Sequence, residues 1–391
     1  MEFLARRYDN GNGVRIRMDG HRIAHCRHAA IPDGKPVAWV APGFFDIQVN
    51  GYGGQEFSSR ELTPEKVVEM VRQHDRFGVV RICPTLTTES FDVLAHGMRA
   101  IAAAAESSPE MGRMIAGIHL EGPYFSTEEG PRGAHPAEHC RRPDWDEFQR
   151  LQQSAAGRIV LLTLSPEFDE AADFIARVVR SGVVVAVGHT GADAAHLQAA
   201  VDAGASLSTH LGNGAHRMLR RHPNYIWDKL ADDRLMASLI VDGHHLPPEV
   251  VQTFVRAKSP ERCVLISDLS GLAGLPPGRY PSSGCELEIL PDGRLVIAGQ
   301  DQLLAGASRP IGVGVANVMR MAGVDLRQAV DMATRHPDRL LGEVQRGLRP
   351  GDPADLVLFD LKRAIDGVVS SLDVLATFRG GQLVYGGVPS G

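Results

Sequence analysis

Cysteine is scarce in this 391-residue chain: Cys26, Cys83, Cys140, Cys263 and Cys285 are odd in number, widely scattered and form no CxxC pair. That argues against a disulfide framework or a thiolate zinc site, and makes a reducing cytoplasm the expected compartment. A basic surplus is also missing, since 41 Lys and Arg stand against 47 Asp and Glu, a formal net charge of −6. Nucleic acid is therefore not an expected partner. No apolar run reaches the ~18–20 residues of a membrane span, so no membrane association is expected. The opening stretch MEFLARRYDNGNGVRIRMDG has no continuous apolar signal core. Internal repeats and low-complexity segments are likewise lacking.

What is present is ordinary globular composition, 43% hydrophobic with 42 Gly and 24 Pro, and length enough for one large domain plus a smaller one. Both ends read as short strands: VRIRMDGHRIAHCRH near the start, ADLVLFDLK and GQLVYGG near the finish. Between them, eight apolar runs fall at about 44–48, 79–84, 114–119, 159–164, 184–188, 206–209, 236–241 and 263–267. Helical patterns intervene, among them TPEKVVEMVRQHDRFG, FDVLAHGMRAIAAAAES, DEAADFIARVVRSG, DAAHLQAAVDAG and PPEVVQTFVRAKS, several opening with Asp, Thr or Pro and closing at Gly. Eight continuous apolar strands alternating with helices predict a buried parallel sheet, and eight closes a (β/α)8 barrel. CELEILPDGRLVIAG reads as an inserted hairpin after the eighth strand. The expected fold is α/β: a (β/α)8 TIM-like barrel over 43–343, with a small β-sandwich domain built from both termini, 1–42 and 344–391.

The residues beyond the strand ends carry the chemistry. Strand one leads to Gln48 and Asn50, three to Glu121, five to His189, six to His210, seven to Asp242, His244 and His245, and eight to Asp268. All stand at carboxyl ends, the face where barrel enzymes assemble their sites. Glu121, His189 and His210 match the His2Glu type of catalytic zinc site, in which a cation lowers the pKa of bound water to roughly 7. Asp268 is placed to take a proton and return it to a leaving group. Pro123 is expected to fix the turn behind Glu121. Singly, each has a plainer reading: a packed histidine, a turn-capping Asp268, a stock Asn50-Gly51 turn. Four groups at four strand ends favour a joint site.

APGFFDIQVNG, GIHLEGPYF, VGHTGAD, STHLGNG, VDGHHL, LISDLSG and LLAGAS resemble, in order, the signatures of N-acetylglucosamine-6-phosphate deacetylases in the amidohydrolase superfamily. GLRPGDPADLVLFD resembles the returning segment that completes the small β domain of those enzymes. The resemblance spans nearly the whole chain and implies hydrolysis of the acetamide of N-acetylglucosamine 6-phosphate, in amino-sugar catabolism, by a homodimer. It implies Glu121, His189 and His210 as metal ligands, Asp268 as the catalytic carboxylate, and one divalent ion per subunit, zinc ahead of iron. Gln48 and Asn50 stand where many superfamily members hold a second metal with histidines. Substrate contacts are implied for His135, Asn213, Gly214, His245, Leu304, Ala305 and Gly306. A phosphate arginine falls at the spacing of Arg221, with Arg217 and Arg220 as alternatives in the basic stretch THLGNGAHRMLRRHPN. His119 shares a strand face with Glu121, either as its supporting partner or as a packed imidazole. Two other functions stay open: the same chemistry on another N-acyl amino sugar or an N-acyl-D-amino acid, and a non-catalytic binding protein on this fold.

Overall fold

The computed structural model describes residues 1–32, 37–282 and 285–388, and among these the strands form four sheets. The chain opens with β1 (Glu2–Arg7), β2 (Gly13–Asp19), β3 (Arg22–His28) and β4 (Trp39–Pro42), then crosses into the body at β5 (Phe44–Val49). A two-stranded hairpin, β6 (Gly51–Tyr52) and β7 (Gln55–Glu56), follows directly. β8 (Val79–Thr87), β9 (Ile118–Glu121), β10 (Ile159–Leu164), β11 (Val184–Val187), β12 (Leu207–Ser208), β13 (Met236–Ile240) and β14 (Cys263–Ile266) then join β5 in one parallel sheet, each beside its predecessor. Asp268 N–H donates to the Gln48 carbonyl at 3.0 Å and Asn50 N–H to that of Leu269 at 2.8 Å, so the last strand returns to the first and the barrel nearly closes.

All eight predicted runs are strands, but the third is displaced. Pro109–Met114 coils into a short helix, with the Ser108 side chain accepting from the Met111 N–H, so β9 starts at Ile118 and Glu121 is its last residue. Helix starts follow the predicted chemistry, as when the Asp193 side chain accepts from His196 N–H at the head of Ala194–Asp202. Helices Trp145–Ser154 and Tyr225–Ala231 were not predicted. In each, one of the three buried side chains is charged, Glu147 or Lys229, which breaks the apolar period.

Alternate residues on a strand share a face, and inside the barrel this layers the side chains. Phe45, Ile47, Cys83, Leu161, Ala186, Leu207, Ile240, Val264 and Ile266 form an apolar plug. Above it, Thr85, His119, Thr163 and Thr209 link side chain to side chain, at 3.5, 2.8 and 2.7 Å in turn. Next along the same faces come Glu121 on β9 and Asp268 past β14. The β5 pairing slips between Asp46 and Val49. That irregularity lets consecutive residues, Ile47 and Gln48, both serve the interior.

After β14 the chain forms a four-stranded antiparallel sheet of β15 (Gly278–Ser282), β16 (Cys285–Ile289), β17 (Leu295–Ile297) and β18 (Gln300–Leu304), which extends the expected hairpin. The C-terminal strands β19 (Leu356–Arg363), β20 (Val369–Arg379) and β21 (Gln382–Gly386) join the N-terminal ones in a mixed sheet ordered β21-β20-β19-β4-β1-β2-β3. Three strand intervals, roughly 14 Å if flat, separate β20 from β1. Yet the rings of Phe3 and Phe378 stack 5.5 Å apart, so the sheet curls face to face around its own core. Buried Arg379 pairs with Asp75 and Glu110, and Thr377 Oγ1 donates to the Asp75 carbonyl at 2.7 Å, fastening this sheet to the barrel.

Candidate metal centre and active-site cavity

Glu121, His189 and His210 come from three strand ends far apart in sequence, and their candidate ligand atoms all lie within 4.8 Å of one another. Glu121 Oε1 is 3.0 Å from His210 Nε2 and 3.5 Å from His189 Nε2, and the two nitrogens are 3.1 Å apart. His189 Nδ1 faces the Pro131 carbonyl at 2.9 Å. A carbonyl only accepts, so a neutral His189 carries its hydrogen there and turns the Nε2 lone pair toward Glu121. Lone pair facing carboxylate is repulsive unless a cation lies between, and two imidazoles with one carboxylate are a donor set that zinc accepts. The residues fit a divalent ion. With no ion between them, protons on the facing Nε2 atoms of His189 and His210 would play the cation's part: burial acts to raise the Glu121 carboxyl, but hydrogen bonds from those two rings outweigh it and hold it well below its ordinary value.

The backbone is strained where these groups are delivered. Five described non-glycine residues have positive φ, and three are His189 (51°), His210 (28°) and Asp268 (53°). That concentration marks a place where the fold enforces side-chain direction at a cost of about 1–3 kcal/mol each. Behind Glu121 the chain turns at Gly122 (φ 83°), where an added Cβ would lie 2.2 Å from Thr88 Oγ1. The Gly122–Pro123 bond is cis. The loop beyond then brings Pro131, Gly133 and His135 against His189.

Gln48 and Asn50 act as hydrogen-bond donors to the acids. Gln48 Nε2 donates to Glu121 Oε1 at 2.9 Å and to Asp268 Oδ1 at 3.1 Å, and Asn50 Nδ2 donates to Asp268 Oδ1 at 2.8 Å. Burial, then the charge of Glu121, pushes the Asp268 carboxyl up to about 7. His119 is bonded to Thr163 and Thr85 beneath the site and hydrogen-bonds to none of the three converging groups; burial lowers it to about 4.

A cavity of about 460 Å³ opens over this centre, and His135, Asn213, Gly214, His245, Leu304, Ala305 and Gly306 are among the residues that line it. His135 comes nearest the centre, with Nε2 3.2 Å from His189 Nε2; burial, then His189, holds it well below its ordinary value. His245 is aimed by Asp242, whose Oδ2 lies 2.8 Å from His245 Nδ1. Burial would raise the Asp242 carboxyl, but that bond and charge bring it down to about 2.

Arg217 and Arg221 are both exposed, and of the two Arg217 lines the cavity of this single chain. Asn224 caps the helix Tyr225–Ala231 with its side-chain oxygen and donates from Nδ2 to the Arg220 and Arg221 carbonyls. This anchors their stretch to the helix start. Gly214 has a second task that the sequence reading missed. A Cβ there would lie 2.7 Å from His189 Nδ1, and one on Gly133 3.2 Å from His189 Cε1, so two bare backbones wedge the ring. The positive φ values of Gly133 (60°) and Gly214 (55°) suit glycine as well. Glu56 also lines the cavity. No strand-end signal points to it.

Residues 39–384 match the amidohydrolase family. N-acetylglucosamine-6-phosphate deacetylase of Bos taurus is 33% identical over 357 residues, covering 88% of this chain and 83% of the relative. N-acetylgalactosamine-6-phosphate deacetylase of Shewanella sp. (strain ANA-3) is 31% identical, covering 95% and 89%. A mutant N-acetyl-D-glucosamine-6-phosphate deacetylase of Mycobacterium smegmatis, solved in complex with N-acetyl-D-glucosamine-6-phosphate, superposes with a TM-score of 0.85 at 29% identity, covering 98% of this chain and 99% of that one. The expected resemblance thus holds at both levels of comparison, and the chain belongs to the amidohydrolase family.

Proposed function

We propose that this protein removes the acetyl group from N-acetylglucosamine 6-phosphate, with Glu121, His189 and His210 holding one divalent ion, zinc by preference. The observation that carries the reading is the convergence of two imidazole nitrogens on one buried carboxylate oxygen, with Asp268 tied to the same Gln48 amide. When bound, a cation in this donor set supplies Lewis acidity toward the amide carbonyl and a lowered pKa for water. Asp268 takes the proton of the attacking water and returns it to the amide nitrogen as the C–N bond breaks, releasing acetate and the free amine. A carboxyl raised by burial suits both halves of that transfer. Gln48 and Asn50 hold Asp268 Oδ1, which leaves the other oxygen for the proton.

His135, Asn213, Gly214, His245 and the Leu304–Ala305–Gly306 segment line the space around the sugar, and Arg217 receives the phosphate, where a guanidinium fork suits an anion. The same proposal includes a cytoplasmic location and a homodimer. Free Cys26, Cys83, Cys140 and Cys263 suit a reducing compartment, and exposed Met218, Leu219 and Trp227 offer an apolar face to a second copy. Because matched relatives include both N-acetylglucosamine-6-phosphate and N-acetylgalactosamine-6-phosphate deacetylases, the epimer at carbon 4 is the nearest competing substrate. The test combines metal analysis of the purified protein with turnover on both epimers, with and without phosphate. Metal-free protein, or no turnover on any N-acetyl hexosamine 6-phosphate, overturns the proposal.

A further inference from the structure

Glu56 lies on β7, in the hairpin that follows the first barrel strand. It is half-buried, and its carboxylate has no hydrogen bond or ion pair among the described residues. Its position is fixed: Gly54 N–H donates to the Gly271 carbonyl at 2.7 Å, Phe57 N–H to that of Asn50 at 2.9 Å, and a Cβ on Gly271 would lie 2.1 Å from Glu56 Cγ. A carboxylate on a hairpin tied down in this way, with no protein donor among the described residues, is free to accept hydrogen bonds from whatever fills the space beside it.

That space is double. Glu56, Ser58 and Glu89 line both the active-site cavity and a second cavity of about 410 Å³. The second is walled by hydrogen-bonding groups, among them Ser59, Arg60 and Glu61, and by apolar Leu62 and Leu272. In the strand order, Glu56 and Glu89 follow the first and second barrel strands, while Arg217 follows the sixth. Second and sixth stand opposite each other in an eight-strand barrel, so the cavity has a basic pole and, across the metal centre, an acidic one that leads into the second cavity.

Resting on the deacetylase reading above, we propose that the second cavity is a subsite for a neutral sugar joined at the anomeric carbon of the N-acetylated amino-sugar phosphate, with Glu56 accepting hydrogen bonds from hydroxyls at the junction. The anomeric carbon neighbours the carbon that bears the acetamide, so a sugar joined there leaves from beside the reacting group while the phosphate arm turns to Arg217. Hydroxyls satisfy Glu56 and the serines, and the C–H faces of a sugar ring meet Leu62 and Leu272. Glu56, Glu61 and Glu89 outnumber Arg60 and Lys66 in this lining, so a neutral extension suits the cavity better than an anionic one. The bond hydrolysed is unchanged.

The probe is a β-linked disaccharide whose non-reducing unit is N-acetylglucosamine 6-phosphate and whose reducing unit is glucose, compared with the monosaccharide phosphate. The metal-loaded protein is expected to deacetylate the disaccharide with kcat/KM within about tenfold of the monosaccharide value. Ser59 lines only the second cavity, so Ser59→Trp is expected to lower kcat/KM for the disaccharide at least tenfold and to change that for the monosaccharide less than twofold. Glu56→Gln should raise KM for the disaccharide more than it lowers kcat. Disaccharide refused by the unaltered protein, or both substrates equally affected by Ser59→Trp, overturns the subsite while leaving the deacetylase reading intact. Loss of the monosaccharide reaction in the unaltered protein would instead sink both.

Discussion

Replacing Gly214 by alanine tests whether that residue serves the metal centre or only the substrate. The added Cβ would fall 2.7 Å from His189 Nδ1 and 3.0 Å from Cε1, both atoms of a ring that is itself pinned to Pro131. Reaching ordinary contact near 3.5 Å requires a retreat of roughly 0.8 Å. The ring has little room, because Gly133 closes on its Cε1 edge. The Nδ1–Pro131 bond should stretch or break, and disturbing a partner that orients a metal ligand typically costs 10–100-fold in affinity, about 1.4–2.8 kcal/mol. Alanine at φ 55° adds a separate penalty of about 1–2 kcal/mol to folding. Chelator competition on Gly214→Ala, followed by elemental analysis, reads the first effect, and urea unfolding of the metal-free protein reads the second. A variant that keeps its metal as tightly as the parent and shows only a raised KM would refute the argument and return Gly214 to a purely substrate-facing role.

Three further outcomes are expected. Asp268→Asn should keep its metal, since Asp268 is outside the converging triad, and lose about 10²–10⁴-fold in kcat; substantial remaining turnover rejects the proton-transfer role. Arg217→Ala should raise KM for phosphorylated substrate about 10–100-fold with little change for the unphosphorylated sugar, whereas Arg221→Ala should leave both close to the parent values; the reverse pattern returns the phosphate to Arg221. His74 is buried, and burial lowers its ring from 6.5 to about 4, so the unfolded chain binds a proton there first. Its contribution to stability is present above pH 6.5 and is lost as pH falls toward 4, reaching roughly 2.5 kcal/mol at pH 4.5. Urea unfolding of His74→Gln should therefore show a smaller drop between pH 7 and 4.5, and an equal drop would remove His74 from the account.

The eight strands, their order and the three converging groups were legible in the sequence because each depends on local pattern. A short apolar run bounded by helices fixes a strand, and a barrel delivers whatever follows it to one face. The strand-end positions of Glu121, His189, His210 and Asp268 thus followed from counting along the chain. Family resemblance added their chemical roles.

What the tertiary structure alone decided concerns groups whose meaning depends on a neighbour distant in sequence. Asn224 at a helix start fastens the backbone of Arg220 and Arg221, while Arg217 reaches the cavity lining. Gly214 matters because His189, from the preceding barrel strand, lies against its backbone, and Glu56 because it lines two cavities with no donor to it among the described residues. The Phe3–Phe378 stack that curls the terminal sheet joins residues 375 positions apart by number, a contact that no periodicity within either segment records. Local sequence sets which element forms and which way its side chains alternate; the path of loops through space, set by packing and caps elsewhere, chooses what each side chain meets.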